Sequence, residues 1–158
     1  MKKILVVHNR YKLQGGEDIA VSNEVTALQS FYEVDTLIFE NKKINVISDL
    51  INFIFNKNFK SASKLIKKLD SFNPDFVYVH NTWFKASVII FDVLEKRNIK
   101  TVIKLHNFRY DCTRHFFYKK HIKQQNMCSK CGALKKENKL FNKYFQESFL
   151  KSVLVIRY

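Results

Sequence analysis

Glycine and proline are scarce in this sequence, which contains three Gly and one Pro among 158 residues. Together with fifteen Phe, this composition excludes a disordered chain or a loop-rich scaffold. No apolar run reaches the roughly 18 residues of a membrane-spanning helix. The apolar run at the N-terminus, Ile4–Val7, is too short for a signal peptide. We therefore expect one globular domain over residues 1–158, in the cytoplasm.

Acidic residues are scarce in the C-terminal part of the chain. Residues 96–158 contain 16 Lys or Arg and 3 Asp or Glu, whereas residues 1–95 contain 12 and 11. The net charge of +14 is therefore concentrated in residues 96–158. Such a segment attracts phosphate groups, an anionic lipid surface or nucleic acid, although a solvated lysine-rich surface explains the charge equally well.

Short strands alternate with longer helices in the hydrophobic pattern. The predicted strands are Lys3–His8, Val34–Phe39, Phe76–His80 and Thr101–Leu105. The predicted helices are Ile19–Phe31, Asn45–Phe59, Ser61–Phe72, Ala86–Arg97 and Leu140–Tyr158, with Asp18 capping the first. This alternation predicts an α/β fold, a Rossmann-like parallel sheet flanked by helices. Residues 113–136 break the pattern and are interpreted as an inserted loop or hairpin that contains cysteines.

Three predicted strands end in similar polar motifs: His8-Asn9-Arg10, His80-Asn81-Thr82 and His106-Asn107-Phe108-Arg109. In a parallel sheet these motifs share the carboxyl edge, where ligands bind. Imidazole and amide groups suit a ligand rich in hydroxyls, because each offers donors and acceptors. A lone histidine usually has a structural role, but three at equivalent positions favour a function as base or charge stabiliser for at least His106.

Gly15-Gly16-Glu17 lies between the first strand and the first helix. Glycine there lets the backbone approach a ligand closely, and a helix N-terminus favours anions. The motif is neither the dinucleotide-binding GxGxxG pattern nor a Walker A loop. A simple turn remains the alternative.

The three cysteines leave two interpretations open. Cys128 and Cys131 have the spacing of half a zinc site, and Cys112 offers a third thiolate. The fourth ligand would be one of three histidines: His106, His115 or His121. The other interpretation is reduced thiols without metal, since an odd number of cysteines argues against a closed set of disulfides.

In their order along the chain, these motifs resemble the N-terminal domain of GT-B glycosyltransferases of family 4. The matching segments are Ile4–Tyr11 with Gly15–Asp18, Asp75–Thr82, Leu105–Arg109 with Cys112, and Cys128-x-x-Cys131. They cover nearly the whole chain, and the combination is more specific than any one motif.

The resemblance implies retaining transfer of a sugar from a nucleotide-sugar to a glycan or lipid-linked acceptor, in envelope polysaccharide or glycolipid synthesis. No cofactor or catalytic metal is then required, and zinc would be structural. His106 is the expected catalytic residue, directed toward the transferred sugar. The expected substrate-binding residues are Gly15, Gly16, Glu17, His80, Asn81, Asn107 and Arg109.

Two departures from the family pattern matter. The second domain of such enzymes, which binds the nucleotide, is not within these 158 residues, so we expect no turnover without that half in cis or in trans. Tyr144 stands where relatives often carry another Cys, which argues against a four-thiolate zinc site. The basic part of the chain suits association with the inner face of a membrane.

Two other functions compete with sugar transfer. One is a non-catalytic basic module that binds nucleic acid or an anionic membrane, although RNA-binding aromatic signatures and helix-turn-helix motifs are lacking. The other is a zinc-dependent hydrolase that uses the cysteines and a histidine.

Overall fold

A computed structural model of the chain describes residues 1–11, 15–41 and 46–106. Within it, Met1–His106 form one compact unit. Several predictions lie outside the described residues: those for the 113–136 loop, the helix Leu140–Tyr158, Asn107, Arg109, Cys112, Cys128 and Cys131.

The compact unit is a Rossmann-like α/β structure with a parallel sheet. Its strands are β1 (Lys3–Arg10), β2 (Glu33–Glu40), β3 (Phe76–Asn81) and β4 (Lys100–Ile103). Its helices are α1 (Gly16–Gln29), α2 (Val46–Phe55), α3 (Phe59–Phe72) and α4 (Ile89–Lys96). The strands are arranged β2-β1-β3-β4 and all neighbours are parallel, which confirms the predicted fold class. No helix within the described ranges is long and apolar enough to cross a membrane.

The centre of the core is strand β1, whose residues Ile4–Val7 are completely buried. One face of the strand packs against Val21 of α1, and the other packs against Leu65 of α3 and Ile90 of α4. A strand covered on both faces reads as a continuous apolar run, which is why its position was evident from the sequence.

Helix α1 begins earlier than predicted. It starts at Gly16 with Gly15 as its N-cap, so the prediction that Asp18 caps a helix from Ile19 is wrong. Asp18 is instead the third helical residue, and its carboxylate accepts a hydrogen bond from the Gly15 backbone N–H at 2.9 Å. A carboxylate at this position can satisfy the backbone donor of the N-cap residue, so the acid serves the helix start from inside.

The break between helices α2 and α3 lies earlier in the chain than predicted, because the first helix was expected to extend to Phe59. Helix α2 ends at Phe55, and α3 begins at Phe59 because the Asn58 side chain accepts a hydrogen bond from the Ser61 N–H. Asparagine is a preferred N-cap residue for this reason.

The segment after β3 is a loop up to Val88, although a helix was predicted from Ala86. The Ala86 N–H donates to the Asn9 Oδ1 at 2.9 Å, and Ser87 has a φ of 61°. The positive φ is incompatible with a helix at Ser87, so the helix begins later than predicted. The Asn58 Nδ2 and the Ser61 hydroxyl donate to the Lys85 carbonyl oxygen, which fastens this loop to α3.

Candidate functional site

Three histidines, His8 and His80 near the ends of their strands and His106 just after β4, converge at the carboxyl edge of the sheet. The Nδ1 atom of His80, at the end of β3, lies 2.9 Å from the Nε2 atom of His106, just after β4. The two rings are stacked, with centroids 5.2 Å apart. The ring of His8, at the end of β1, meets the His80 ring edge-on at a centroid distance of 6.2 Å. The sequence-based expectation that these strand ends lie together therefore agrees with the observed geometry.

A break in strand register accompanies this convergence. Val7 of β1 pairs with Val79 of β3, but the next residue, His8, pairs with Asn81. His80 is thus an extra residue on β3, which makes the junction a β-bulge. Bulges re-aim side chains and are common beside functional sites.

His8 forms a buried pair with Asp18. The His8 Nε2 lies 2.9 Å from the Asp18 Oδ1, and the two side chains are 1% and 3% exposed. Burial lowers the pKa of His8, although the hydrogen bond and the charge of Asp18 oppose this shift. His8 is therefore neutral at neutral pH, and its Nε2–H donates to the carboxylate. Since Asp18 also accepts from Gly15, the end of β1 is tied directly to the start of α1.

Glu24 of α1 lies close to three polar side chains, Tyr78 and His80 of β3 and Lys104 just after β4. Its carboxylate accepts hydrogen bonds from the Tyr78 hydroxyl, at 2.8 Å, and from the Lys104 ammonium. The His80 Nε2 lies 3.9 Å from the Glu24 Oε2. Burial favours a higher pKa for Glu24, but the hydrogen bonds from Lys104 and Tyr78 outweigh it and lower the pKa. Glu24 is therefore a carboxylate at neutral pH.

The same contacts determine the protonation of the surrounding groups. Burial, together with the Glu24 carboxylate, raises the pKa of Tyr78 to about 12. Burial lowers the pKa of His80 to about 4, against the attraction of Glu24. Burial and the Lys104 charge lower the pKa of His106 as well. At neutral pH both imidazoles of the stacked pair are uncharged, so one ring nitrogen donates to the other.

Gly15 and Gly16 lie at the start of α1, where Gly15 is hydrogen-bonded to Asp18, the partner of His8. Neither glycine has a positive φ, and a Cβ built on either one meets no atom of the described residues within 4 Å. Packing and backbone conformation therefore do not require glycine at these positions. Glu17 and Asp18 occupy the first turn of the helix, where their charges oppose the binding of an anion.

Asn81 serves the fold rather than an open surface. It is 5% exposed, its Nδ2 donates to the Asn9 carbonyl oxygen, and its Oδ1 accepts from the Trp83 N–H. Asn9 is fully buried and accepts from Ala86. Asn9 and Asn81 thus connect β1, β3 and the following loop, whereas the three histidine rings lie against one another.

Sequence reasoning missed the groups behind the histidines: Asp18 as a histidine partner, Glu24, Tyr78 and Lys104. A signal for one of them exists, because Tyr78 precedes His80 by two residues within β3. In a strand this spacing places side chains on one face. Glu24 has no comparable signal, since its place depends on how α1 crosses the sheet.

A metal centre is not evident in the part of the chain that the structure describes. No group of three or more His, Cys, Asp or Glu there could hold a metal ion. The proposed zinc ligands Cys112, Cys128 and Cys131 lie outside that part.

The chemical capacity of the site lies in the half-buried, neutral imidazole of His106, which stacks on the buried ring of His80. His106 is half-buried, His80 is buried against it, and the Glu24 carboxylate lies on the other side of the His80 ring. Such an imidazole can accept a hydrogen bond from a hydroxyl group. Comparison of the chain with protein-family models found no match, and no curated protein or solved structure matches it either.

Proposed function

We propose that the chain is the acceptor-binding half of a retaining glycosyltransferase. It would act on a glycan or lipid-linked acceptor, and a second domain would supply the nucleotide-sugar. The observation that carries the proposal is the stacked pair of His80 and His106 at the carboxyl edge of the sheet. The sugar chemistry rests on the resemblance of the motif order to family 4 GT-B enzymes.

The charge of the site favours a neutral, hydroxyl-bearing ligand. The two stacked imidazoles are uncharged at neutral pH because burial lowers the pKa of each. Glu17 and Asp18 in the first turn of α1 repel anions from the N-terminus of this helix, where Gly15 is the N-cap. A carbohydrate hydroxyl avoids this repulsion and can hydrogen-bond to imidazole nitrogen and to backbone amide groups.

In this proposal each residue of the edge has a separate role. His106 is the catalytic residue, because it is the more accessible imidazole of the stacked pair and contacts the transferred sugar. His80 supports it from the buried side, and Gly15 and Gly16 leave room for the ligand. Asn107 and Arg109 follow directly in the sequence and remain proposed binding residues.

A binding experiment tests the first step. The ¹⁵N-labelled chain is titrated with neutral alkyl mono- and disaccharides, and amide shifts are recorded. We expect saturable shifts at Gly15, Gly16 and His106, and binding weaker by about tenfold or more in His106→Ala, since a ligand hydrogen bond in a site is worth about this much. Glu33→Gln, at the opposite edge of the sheet, is the matched control and should bind as the parent chain does.

An activity experiment tests the second step. The chain is assayed with a nucleotide-sugar and an acceptor, alone and together with a separately produced nucleotide-sugar-binding domain. We expect transfer only with both halves present, and a loss of about 100-fold or more in His106→Ala. Unaltered transfer in that variant would remove the role of His106. Salt-sensitive binding to DNA or anionic vesicles, without any sugar binding, would replace the proposal by the basic binding module.

A further inference from the structure

Three side chains form a line from the inside of the cluster to the surface. The Glu24 Oε2 lies 3.9 Å from the His80 Nε2, and the His80 Nδ1 lies 2.9 Å from the His106 Nε2. The His80 side chain has no exposed surface, and its Nε2 has no hydrogen-bond partner among the described residues, so the Glu24 carboxylate acts on it through its charge. The position of the proton on His80 therefore determines what His106 can do.

A neutral His80 carries one ring proton, and two placements exist. With the proton on Nε2, it points toward the Glu24 carboxylate, and Nδ1 accepts a hydrogen bond. With the proton on Nδ1, a bare lone pair at Nε2 faces that carboxylate in a buried position. The second placement is disfavoured because two negative regions would meet without a donor between them.

We infer that Glu24 and His80 are positioning residues that set the tautomer of His106. Glu24 holds the proton of His80 on Nε2, so His80 Nδ1 accepts a hydrogen bond from the His106 Nε2–H. A neutral His106 protonated at Nε2 has its lone pair on Nδ1. The half-buried imidazole of His106 then offers an acceptor, rather than a donor, to a ligand hydroxyl.

This inference rests on the proposed function for its consequence but not for its geometry. A hydroxyl group that donates to His106 Nδ1 gains electron density on its oxygen, which suits an acceptor or a sugar hydroxyl. The opposite tautomer would present an N–H group and select for an acceptor atom instead.

The other charged and titratable groups around the line agree with this assignment. Lys104 and the Tyr78 hydroxyl donate to Glu24 and keep it ionised. His8, on the neighbouring strand, is committed to Asp18 through its Nε2. The lowered pKa values of His80 and His106 keep both rings neutral, and a neutral ring is needed for either one to have a single proton and a choice of tautomer.

The tautomer can be measured directly by long-range ¹H–¹⁵N correlation spectra of the labelled chain at neutral pH. The chain has 5 His, and single His→Gln variants assign their signals. We expect a pyrrole-type Nε2 and a pyridine-type Nδ1 for both His80 and His106. The charge of Glu24 should favour this form by about tenfold, from Coulomb's law at these separations with an effective dielectric constant of about 20.

Glu24→Gln removes the charge and keeps the shape of the side chain. We expect the tautomer ratio of both histidines to fall by about tenfold, and the pKa of His106 to fall because an attractive charge is lost. Glu33→Gln, the same change at a carboxylate paired with Lys3, should leave both unchanged. Unchanged ratios in Glu24→Gln, or a parent chain with the His106 proton on Nδ1, would overturn the inference.

The wild-type spectrum alone decides the tautomer, so the test does not depend on the folding of a variant. It also separates the two proposals. The expected tautomer without any sugar binding would refute the proposed function only. Sugar binding with the His106 proton on Nδ1 would refute the positioning role only.

Discussion

The Nε2 of His8 and the Oδ1 of Asp18 are 2.9 Å apart, and neither side chain reaches the solvent to any extent. Asp18 uses its other oxygen to accept a hydrogen bond from the Gly15 N–H. One carboxylate therefore joins the end of the central strand to the glycine pair that opens α1. The position of this loop relative to the histidines depends on that carboxylate.

Asp18→Asn should destabilise the fold. The amide can satisfy only one of the two donors, His8 Nε2–H or Gly15 N–H, and its own NH₂ group is left facing the other. We expect the free energy of unfolding to fall by about 1–3 kcal/mol, measured by urea denaturation at neutral pH. The matched control is Asp92→Asn, an exposed acid in the first turn of α4, which should change it by less than about 0.5 kcal/mol. Equal effects of the two variants would show that the pair contributes nothing.

Replacing Asn9 by Ala should destabilise the loop that follows β3. The buried Oδ1 of Asn9 accepts from the Ala86 N–H, and in Asn9→Ala that donor loses its partner. We expect a loss of about 1–3 kcal/mol and faster hydrogen exchange at the Ala86 amide. Asn23→Ala, on the exposed face of α1, provides the comparison and should leave that amide protected. Unchanged exchange at Ala86 in Asn9→Ala would contradict the assigned bond.

Much of this architecture could be predicted from the sequence. The buried run Ile4–Val7 identifies a strand covered on both faces, and the alternation with helices requires parallel strands. The convergence of His8, His80 and His106 then follows, because parallel strands share their carboxyl edge. The local pattern carries this information, so the prediction needed no knowledge of packing.

The remaining features depend on long-range contacts that local patterns do not encode. Ala86 suits a helix by propensity, yet it lies in a loop, where its N–H donates to Asn9, 77 residues away, and the next residue, Ser87, has a positive φ. Asp18 has the composition of an N-cap, but its carboxylate is committed to His8 as well as to Gly15. Glu24 looks like an ordinary helix-surface acid until α1 is placed on the sheet beside His80.

The buried histidines predict loss of stability in acid. The pKa of His80 is about 4 in the folded chain and 6.5 when unperturbed, so the unfolded chain binds more protons between these values. The free energy of unfolding should therefore fall as the pH falls from 6.5 to 4, by about 3 kcal/mol from His80 alone. His8 and His106 shift in the same direction and add to this loss.

Urea denaturation across that pH range measures the effect. His80→Gln removes the titrating group and should flatten the profile, whereas His106→Gln, at a more exposed position, should retain most of the slope. A parent profile that is flat between pH 6.5 and 4 would contradict the buried, neutral state of His80.

Tyr78 gives the corresponding prediction in alkali. Burial and the Glu24 carboxylate raise its pKa from 10.0 to about 12, so the unfolded chain loses this proton first and stability should fall above pH 10. In a rapid pH-jump measurement of tyrosinate absorbance, we expect a step near pH 12 that is absent in Tyr78→Phe. Tyr32→Phe should keep that step. In Glu24→Gln the pKa of Tyr78 should move toward its ordinary value, and an unmoved step would exclude the contact with Glu24.

Alanine substitutions at Gly15 and Gly16 test whether these glycines are needed for ligand binding or for folding. No atom of the described residues lies within 4 Å of a Cβ built on either, and neither φ is positive, so Gly15→Ala and Gly16→Ala should fold normally. Gly16 is the first helical residue, and Ala there should be neutral or stabilising by up to about 1 kcal/mol. If a sugar lies against this backbone, the added methyl group should nevertheless weaken glycan binding by about tenfold or more, because it occupies the space that the ligand needs. Stability from urea denaturation and binding from the amide-shift titration are measured on the same samples, with the exposed Ser22→Ala of the same helix as control. Variants that keep both properties would leave the glycine pair without a role in the site.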